Sequence, residues 1–244
     1  MPKNQSFGQT DTGLRRSNNE DSFLCQPDLA IWAVADGMGG AASGEVASKI
    51  FVDTALEIFS AAGRSSEREN YFIVHETFRM ANERVFISAR NNLEYQGMGC
   101  TAELLAFSDQ DYIVGHVGDS RTYLFREGEL KQLTRDHSLV QDQLDQGLIT
   151  VEEAQKHALR NVILRAVGVE EVLAVDFIRG KSFPGDFFLL CSDGLFTMVN
   201  DSSIRDVLSL PLSLSQKVEK LIDLAKSAGG YDNITVILCE VLKS

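Results

Sequence analysis

Four strand-like runs, TAELLAF, YIVGHVG, RTYLFRE and ELKQLT, follow one another between residues 101 and 134 with only the turn signals SDQD, GDS and REGE between them. Such a succession reads as a meander. SFGQTDTG, DSFLC and LAIWAVAD stand earlier as short strands, rich in β-branched and aromatic residues between Gly, Asn and Asp punctuation. Two amphipathic helices lie in between: Ala47, Phe51, Ala55 and Ile58 recur at helical spacing, as do Tyr71, Val74, Phe78, Ala81, Val85 and Ala89. Residues 136–165 are polar, with Gln, Glu and His and sparse apolar positions, and read as an inserted helical flap. After it come strands VLAVDFI and DFFLLCSD, a helix with Leu214, Val218, Leu221 and Ala225 on one face and Gly229 as its stop, and a last strand ITVILCEV. Strands in consecutive hairpins with helices grouped in pairs predict α+β layers rather than strand-helix-strand alternation.

Acids recur where these runs end. Asp36 closes LAIWAVAD before Gly37, Asp193 closes FFLLCSD before Gly194, Asp119 follows a third apolar strand and Asp232 precedes a fourth, while Glu20 and Asp21 stand in NNEDS. One Asp-Gly alone is a turn signal whose carboxylate bonds its own backbone. Several converging acids without compensating Lys or His would repel one another, so a multivalent cation is their natural partner. All-oxygen ligation selects Mg2+ or Mn2+ over zinc or copper. Asp36 would bridge two metals and Gly37 would lend its carbonyl. Gly39 and Gly40 would keep the space above the ions open. Two metals about 4 Å apart clamp a shared water, lower its pKa and aim it in line at phosphorus, which points to metal-assisted phosphate ester hydrolysis.

With 44% apolar residues among 244, the chain can bury a core without covalent staples. Cys25, Cys100, Cys191 and Cys239 are widely spaced beside apolar residues and read as buried free thiols. The longest apolar run, LAIWAVA, is far shorter than the roughly 20 residues that span a bilayer, and the start lacks a signal pattern, so a cytoplasmic protein with no membrane partner is expected. A net charge of -12, with no basic stripe interleaved with aromatics, argues against nucleic acid and against an unrelated metal-dependent nuclease.

The motifs TDTGLRRSNNEDSF, VADGMGG with GEVAS after it, GMGCTA, HVGDSRTYLFREGELKQLTRDHSLV, NVILRAVG, LLCSDGLF and GGYDNITV occur in that order over nearly the whole chain. In them the sequence resembles the metal-dependent serine/threonine protein phosphatases of type 2C in their compact bacterial form. The resemblance implies one catalytic domain over residues 1–244. Its fold would be two central antiparallel sheets flanked by pairs of helices, an αββα sandwich, with the flap at about 138–165 beside the site. It implies that Arg16 binds phosphate through its planar fork. Asp36, Asp193 and Asp232 would hold a first metal, and Glu20, Asp36 and the Gly37 carbonyl a second. Asp21 would orient metal-bound water, and Asp119 would hold a third, weaker metal shared with Asp193.

One departure bears on chemistry. Many bacterial relatives carry His directly after DGMGG, and others where Met38 stands, as a candidate general acid; this chain has Ala41 and Met38, and His75, His116, His137 and His157 lie in other motifs. Protonation of the leaving alkoxide is therefore expected to fall to metal-bound water, with a larger handicap on phosphopeptides than on an aryl phosphate. Cys100, where Thr is commoner, is expected to serve only as a buried neighbour. The expected substrates are phosphoserine and phosphothreonine proteins made by a serine/threonine kinase. A catalytically weak phosphoprotein-binding regulator of the same fold is the alternative, and it would want broken ligands. A monomer is expected, since no segment is an obvious coiled coil or exposed apolar stripe.

Overall fold

The computed structural model describes residues 4–39, 43–63 and 66–243. Strand β3 (Ile31–Met38) shows most directly how the sequence makes the fold. Its residues from Ile31 to Ala35 are all buried, yet they alternate between two interiors: Ile31, Ala33 and Ala35 pack toward helices, Trp32 and Val34 toward another sheet. An uninterrupted apolar strand is what a sheet covered on both faces requires.

That sheet runs in the order β2 (Asp21–Gln26), β3, β5 (Ala102–Ser108), β6 (Asp111–Val117) and β9 (Asp176–Lys181), with the short β4 (Gly99–Cys100) pairing off β3. The other runs β1 (Asn4–Asp11), β11 (Ile234–Val241), β10 (Phe187–Cys191), β7 (Arg121–Arg126) and β8 (Glu129–Gln132). Neighbouring strands pair antiparallel throughout both sheets. Helices α1 (Gly44–Ala62) and α2 (Glu67–Asn91) cover the β3 sheet. Helices α5 (Asp193–Phe196), α6 (Asp201–Ser209) and α7 (Leu214–Ser227) cover the β11 sheet. Between the sheets, Trp32, Phe107, Phe188 and Tyr112 meet edge to face at centroid distances of 5.3, 5.2 and 4.9 Å, each contact contributing about 0.5–1.5 kcal/mol beyond its buried area. The architecture is the αββα sandwich.

Several local expectations need correction. The run from 101 to 134 is two hairpins, one in each sheet: GDS carries the chain from β6 across to β7. Gly118 makes the crossing with φ +105, and a Cβ there would stand 2.6 Å from Thr101 Cβ. His137 fastens it, donating its N–H to the Gly118 carbonyl at 2.7 Å while its Nδ1 accepts from the Gly118 N–H at 3.0 Å. Of the expected helical stripe on α1, Phe59 rather than Ile58 is the buried fourth member. The strand expected from VLAVDFI begins only at Asp176, with Val172 exposed. Helices α5 and α6 were not expected at all. In the segment expected as a flap stand two short helices, α3 (Leu139–Asp145) and α4 (Val151–Lys156), opened by side-chain N-caps from Ser138 and Thr150 respectively.

Candidate active site

The acids gather at one end of the sandwich, where β2 and β3 of one sheet meet β10 and β11 of the other. The β2–β3 register sets Asp21 opposite Asp36, so the two carboxyls share a face and come within hydrogen-bond reach. Asp36 does not close its strand, as the sequence suggested: β3 continues through Gly37 to Met38. Asp193 opens α5 two residues after β10 ends, and Asp119 sits in the crossing between sheets. Arg16 donates from Nη2 to Asp232 Oδ2 at 2.7 Å, so the expected phosphate ligand and one expected metal ligand hold each other here.

The loop that carries Arg16 and Glu20 is fixed by Asn233. Its Nδ2 donates to the carbonyls of Thr12 and Asn18 at 3.0 and 2.9 Å, and its Oδ1 accepts from the Glu20 N–H at 2.8 Å. The Glu20 carbonyl accepts from Gly37 N–H at 3.1 Å and from Ser48 Oγ at 2.6 Å. Asp21 Oδ2 accepts from Ser192 Oγ at 2.7 Å and Thr235 Oγ1 at 2.6 Å. Thr101 receives the Asp36 N–H on its hydroxyl at 3.0 Å and bonds Ser120 at 2.7 Å. Sequence reading missed Asn233, Ser192, Thr235, Ser48 and Thr101.

Close packing requires glycine at position 37. A Cβ there would lie 2.1 Å from the Gly44 carbonyl oxygen and 2.6 Å from that of Glu20, because the first turn of α1 and the Glu20 segment both run against this backbone. Gly37 and Gly44 thus let a helix and a loop run against the backbone beside Asp36. Gly40 and Ala41 lie outside the described residues.

Burial, followed by the charges of Asp21, Asp193, Asp119 and Asp232, pushes the Asp36 carboxyl well above its ordinary range. Asp193 is raised for the same reasons, burial first and then Asp119, Asp232 and Asp21. Asp21 is raised to about 6 by burial against the opposing hydroxyls of Thr235 and Ser192. Burial and Asp136 raise Asp119 to about 6. Asp21 Oδ1 and Asp193 Oδ1 are buried without a hydrogen-bond partner. Repelling acids with unfilled acceptors fit a cation. Among the described residues no three His, Cys, Asp or Glu side chains are gathered closely enough to hold an ion by themselves. This open donor set suits Mg2+ or Mn2+, which keep several waters and bind through one or two carboxylates, better than Zn2+.

This electrostatic state has a measurable consequence. A cation needs ionised ligands, whereas burial and mutual repulsion lift the carboxyls of Asp36, Asp193 and Asp119, so that these expected ligands keep their protons to higher pH than an ordinary aspartate. Binding must displace those protons as the pH falls, so Mn2+ is expected to raise the melting temperature far more at about pH 7 than at about pH 5. Equal shifts at both values would contradict this assignment of the ligands.

None of the histidines stands free to join the acids. His75 stacks on Tyr71 and Phe177. His116 is held by Glu103 and by the Arg135 carbonyl at 2.8 Å, His137 by Gly118 and Asp176, and His157 by the Leu159 N–H. Cys100 is buried in β4, where burial pushes its thiol far above the usual range.

The family pattern described as protein phosphatase 2C matches residues 14–238. The chain is 38% identical to the serine/threonine phosphatase stp of Listeria welshimeri over 238 residues, 95% of this chain and 94% of that protein. Its fold superposes on the crystal structure of the Mycobacterium tuberculosis serine/threonine phosphatase PstP/Ppp with a TM-score of 0.92 at 34% identity, covering 98% of this chain and 99% of that one. It superposes likewise on the catalytic domain of a serine/threonine protein phosphatase PstP in complex with two manganese ions, with a TM-score of 0.89 at 34% identity over 98% and 99% of the two chains. Sequence and fold agree along nearly the whole length, and the chain belongs to the protein phosphatase 2C family.

Proposed function

We propose that this metal-dependent serine/threonine phosphatase hydrolyses phosphoserine and phosphothreonine in proteins at the acid cluster beside Arg16. Glu20, Asp36, the Gly37 carbonyl, Asp193 and Asp232 hold Mn2+ or Mg2+, and Asp119 with Asp193 holds a third, weaker ion. The observation that carries this reading is a set of buried, mutually repelling carboxyls with two orphan oxygens beside an exposed guanidinium. Bound there, such ions would neutralise phosphoryl charge and supply an activated water.

The chain's own residues position the reaction. Arg16, with its side chain half exposed, exchanges Asp232 for two phosphate oxygens, which its planar fork matches. Asp21 is fixed through Oδ2 by Ser192 and Thr235, which leaves the unpartnered Oδ1 to accept a hydrogen bond from the attacking water. No imidazole is placed at the leaving oxygen, and solvent at the site provides the proton. An alkoxide needs that proton more than a phenolate does. Ala41→His is accordingly expected to raise turnover of a phosphothreonine peptide by about tenfold or more, and that of p-nitrophenyl phosphate much less. Unchanged rates on both substrates would show that the missing acid is not limiting.

The reading extends to context. A serine/threonine kinase supplies the substrates, the chain acts as a single monomeric catalytic unit with the segment at about 138–165 as its flap, and it works in the cytoplasm. No helix among the described residues is long and apolar enough to cross a membrane. The test is phosphate release from a phosphothreonine peptide by metal-stripped protein titrated with Mn2+ and Mg2+. Release that depends on metal supports the reading. Silence on both the peptide and p-nitrophenyl phosphate would favour the phosphoprotein-binding regulator.

A further inference from the structure

The phosphatase reading absorbs Arg16 from TGLRR and Asp232 from GGYDN but leaves their neighbours Leu14, Arg15 and Tyr231 without a role. Leu14 and Tyr231 are large apolar side chains, and each is 58% exposed. Isolated exposed apolar residues are ordinary. These two are held beside each other by backbone contacts: Leu14 N–H donates to the Gly230 carbonyl at 2.7 Å, and the chain passes so close at Gly13 that a Cβ there would lie 2.2 Å from the Asp232 carbonyl oxygen. The guanidinium of Arg15 lies over the Tyr231 ring, 5.7 Å from its centroid. Arg15 is exposed and makes no ion pair among the described residues, in a chain of net charge -12. The result is an apolar shelf carrying a positive charge with no ion-pair partner among the described residues, adjacent in sequence to Arg16 and Asp232.

We infer that Leu14, Arg15 and Tyr231 bind the substrate polypeptide beside its phosphorylated residue, and that Arg15 selects for an acidic side chain one or two positions from the phosphate. The inference rests on the phosphatase reading of the acid cluster. With Arg16 on the phosphate, the adjacent Arg15 faces the flanking residue, where Asp or Glu meets an unpaired guanidinium and Lys or Arg meets a like charge. Leu14 and Tyr231 contact the aliphatic part of that side chain. Their fixed placement leaves little ordering to be done on binding.

The test uses the whole chain loaded with Mn2+ and a pair of phosphothreonine peptides differing only in Glu or Lys at the positions flanking the phosphoresidue, with p-nitrophenyl phosphate as reference. The wild type is expected to prefer the Glu peptide by about threefold or more in kcat/KM, mainly through KM, and to lose the preference at high salt. Arg15→Glu is expected to reverse the preference, and Tyr231→Ala to raise KM for both peptides. A wild type that hydrolyses p-nitrophenyl phosphate yet treats both peptides alike would overturn the shelf while leaving the phosphatase intact. So would an Arg15→Glu variant that keeps the wild-type preference. A wild type that hydrolyses neither substrate would remove the phosphatase reading, and the shelf with it.

Discussion

Asp36→Asn is expected to lower phosphate release by more than about 10³-fold while raising the melting temperature of the metal-free protein at neutral pH. Both effects have one cause. Asp36 feels burial and the charges of Asp21, Asp193, Asp119 and Asp232 together, which lifts its folded-state pKa well above the unfolded value. A carboxyl raised in this way favours the folded state below its unfolded pKa and loses that contribution as the pH climbs through the folded one. At neutral pH the metal-free fold therefore carries the repulsion. Asn keeps the shape and removes the charge, and with it the anchor that two cations would share. Activity lost without a gain in metal-free stability would mean that Asp36 is not the focus of the repulsion.

Gly37→Ala is expected to be nearly as damaging by a different route. Its Cβ would stand 2.1 Å from the Gly44 carbonyl oxygen and 2.6 Å from that of Glu20, and both obstacles are backbone, which cannot swing aside as a side-chain end can. Either α1 withdraws or the Glu20 segment shifts, at a cost of about 2–3 kcal/mol or more, equivalent to a melting temperature lower by roughly 5–10 °C. Glu20 is an expected ligand and its carbonyl is bonded to Gly37 N–H and Ser48, so Mn2+ affinity should fall with the stability. Gly97→Ala is the control, since its Cβ would enter open space and meet only the strain of φ +80. Thermal melts in which the two variants behave alike would refute the close-approach account of Gly37.

How much of this could be read beforehand varies with sequence distance. The strands of both sheets were legible because alternation and turn signals are local, and the doubly buried run of β3 announced itself as uninterrupted apolar residues. The crossing at GDS was not legible, because a turn signal does not say whether the next strand returns to the same sheet. Helix α6 did leave a signal, Asn200 as N-cap followed by Ile204, Val207 and Leu208 at helical spacing, but it is only nine residues long and stands just behind the one-turn helix α5. The acids stood out as a repeated residue type at strand ends. The groups that hold them did not: Ser192 lies 171 residues from Asp21, Thr235 lies 214 from it, and Asn233 lies 213 from Glu20. A hydroxyl or amide becomes a positioning group only when the two sheets close over each other. Gly37, expected only to lend its carbonyl, is a point of backbone contact because α1 and the Glu20 segment pack against it, which no local pattern announces.

Crystals of the protein grown with Mn2+, measured for anomalous scattering at the manganese edge, test the central claim most directly. The account predicts two strong peaks flanking Asp36, one on the side of Glu20 and the Gly37 carbonyl and one on the side of Asp193 and Asp232, with Arg16 released from Asp232. Peaks elsewhere on the molecule, or an acid cluster left without any while the protein still releases phosphate, would contradict it.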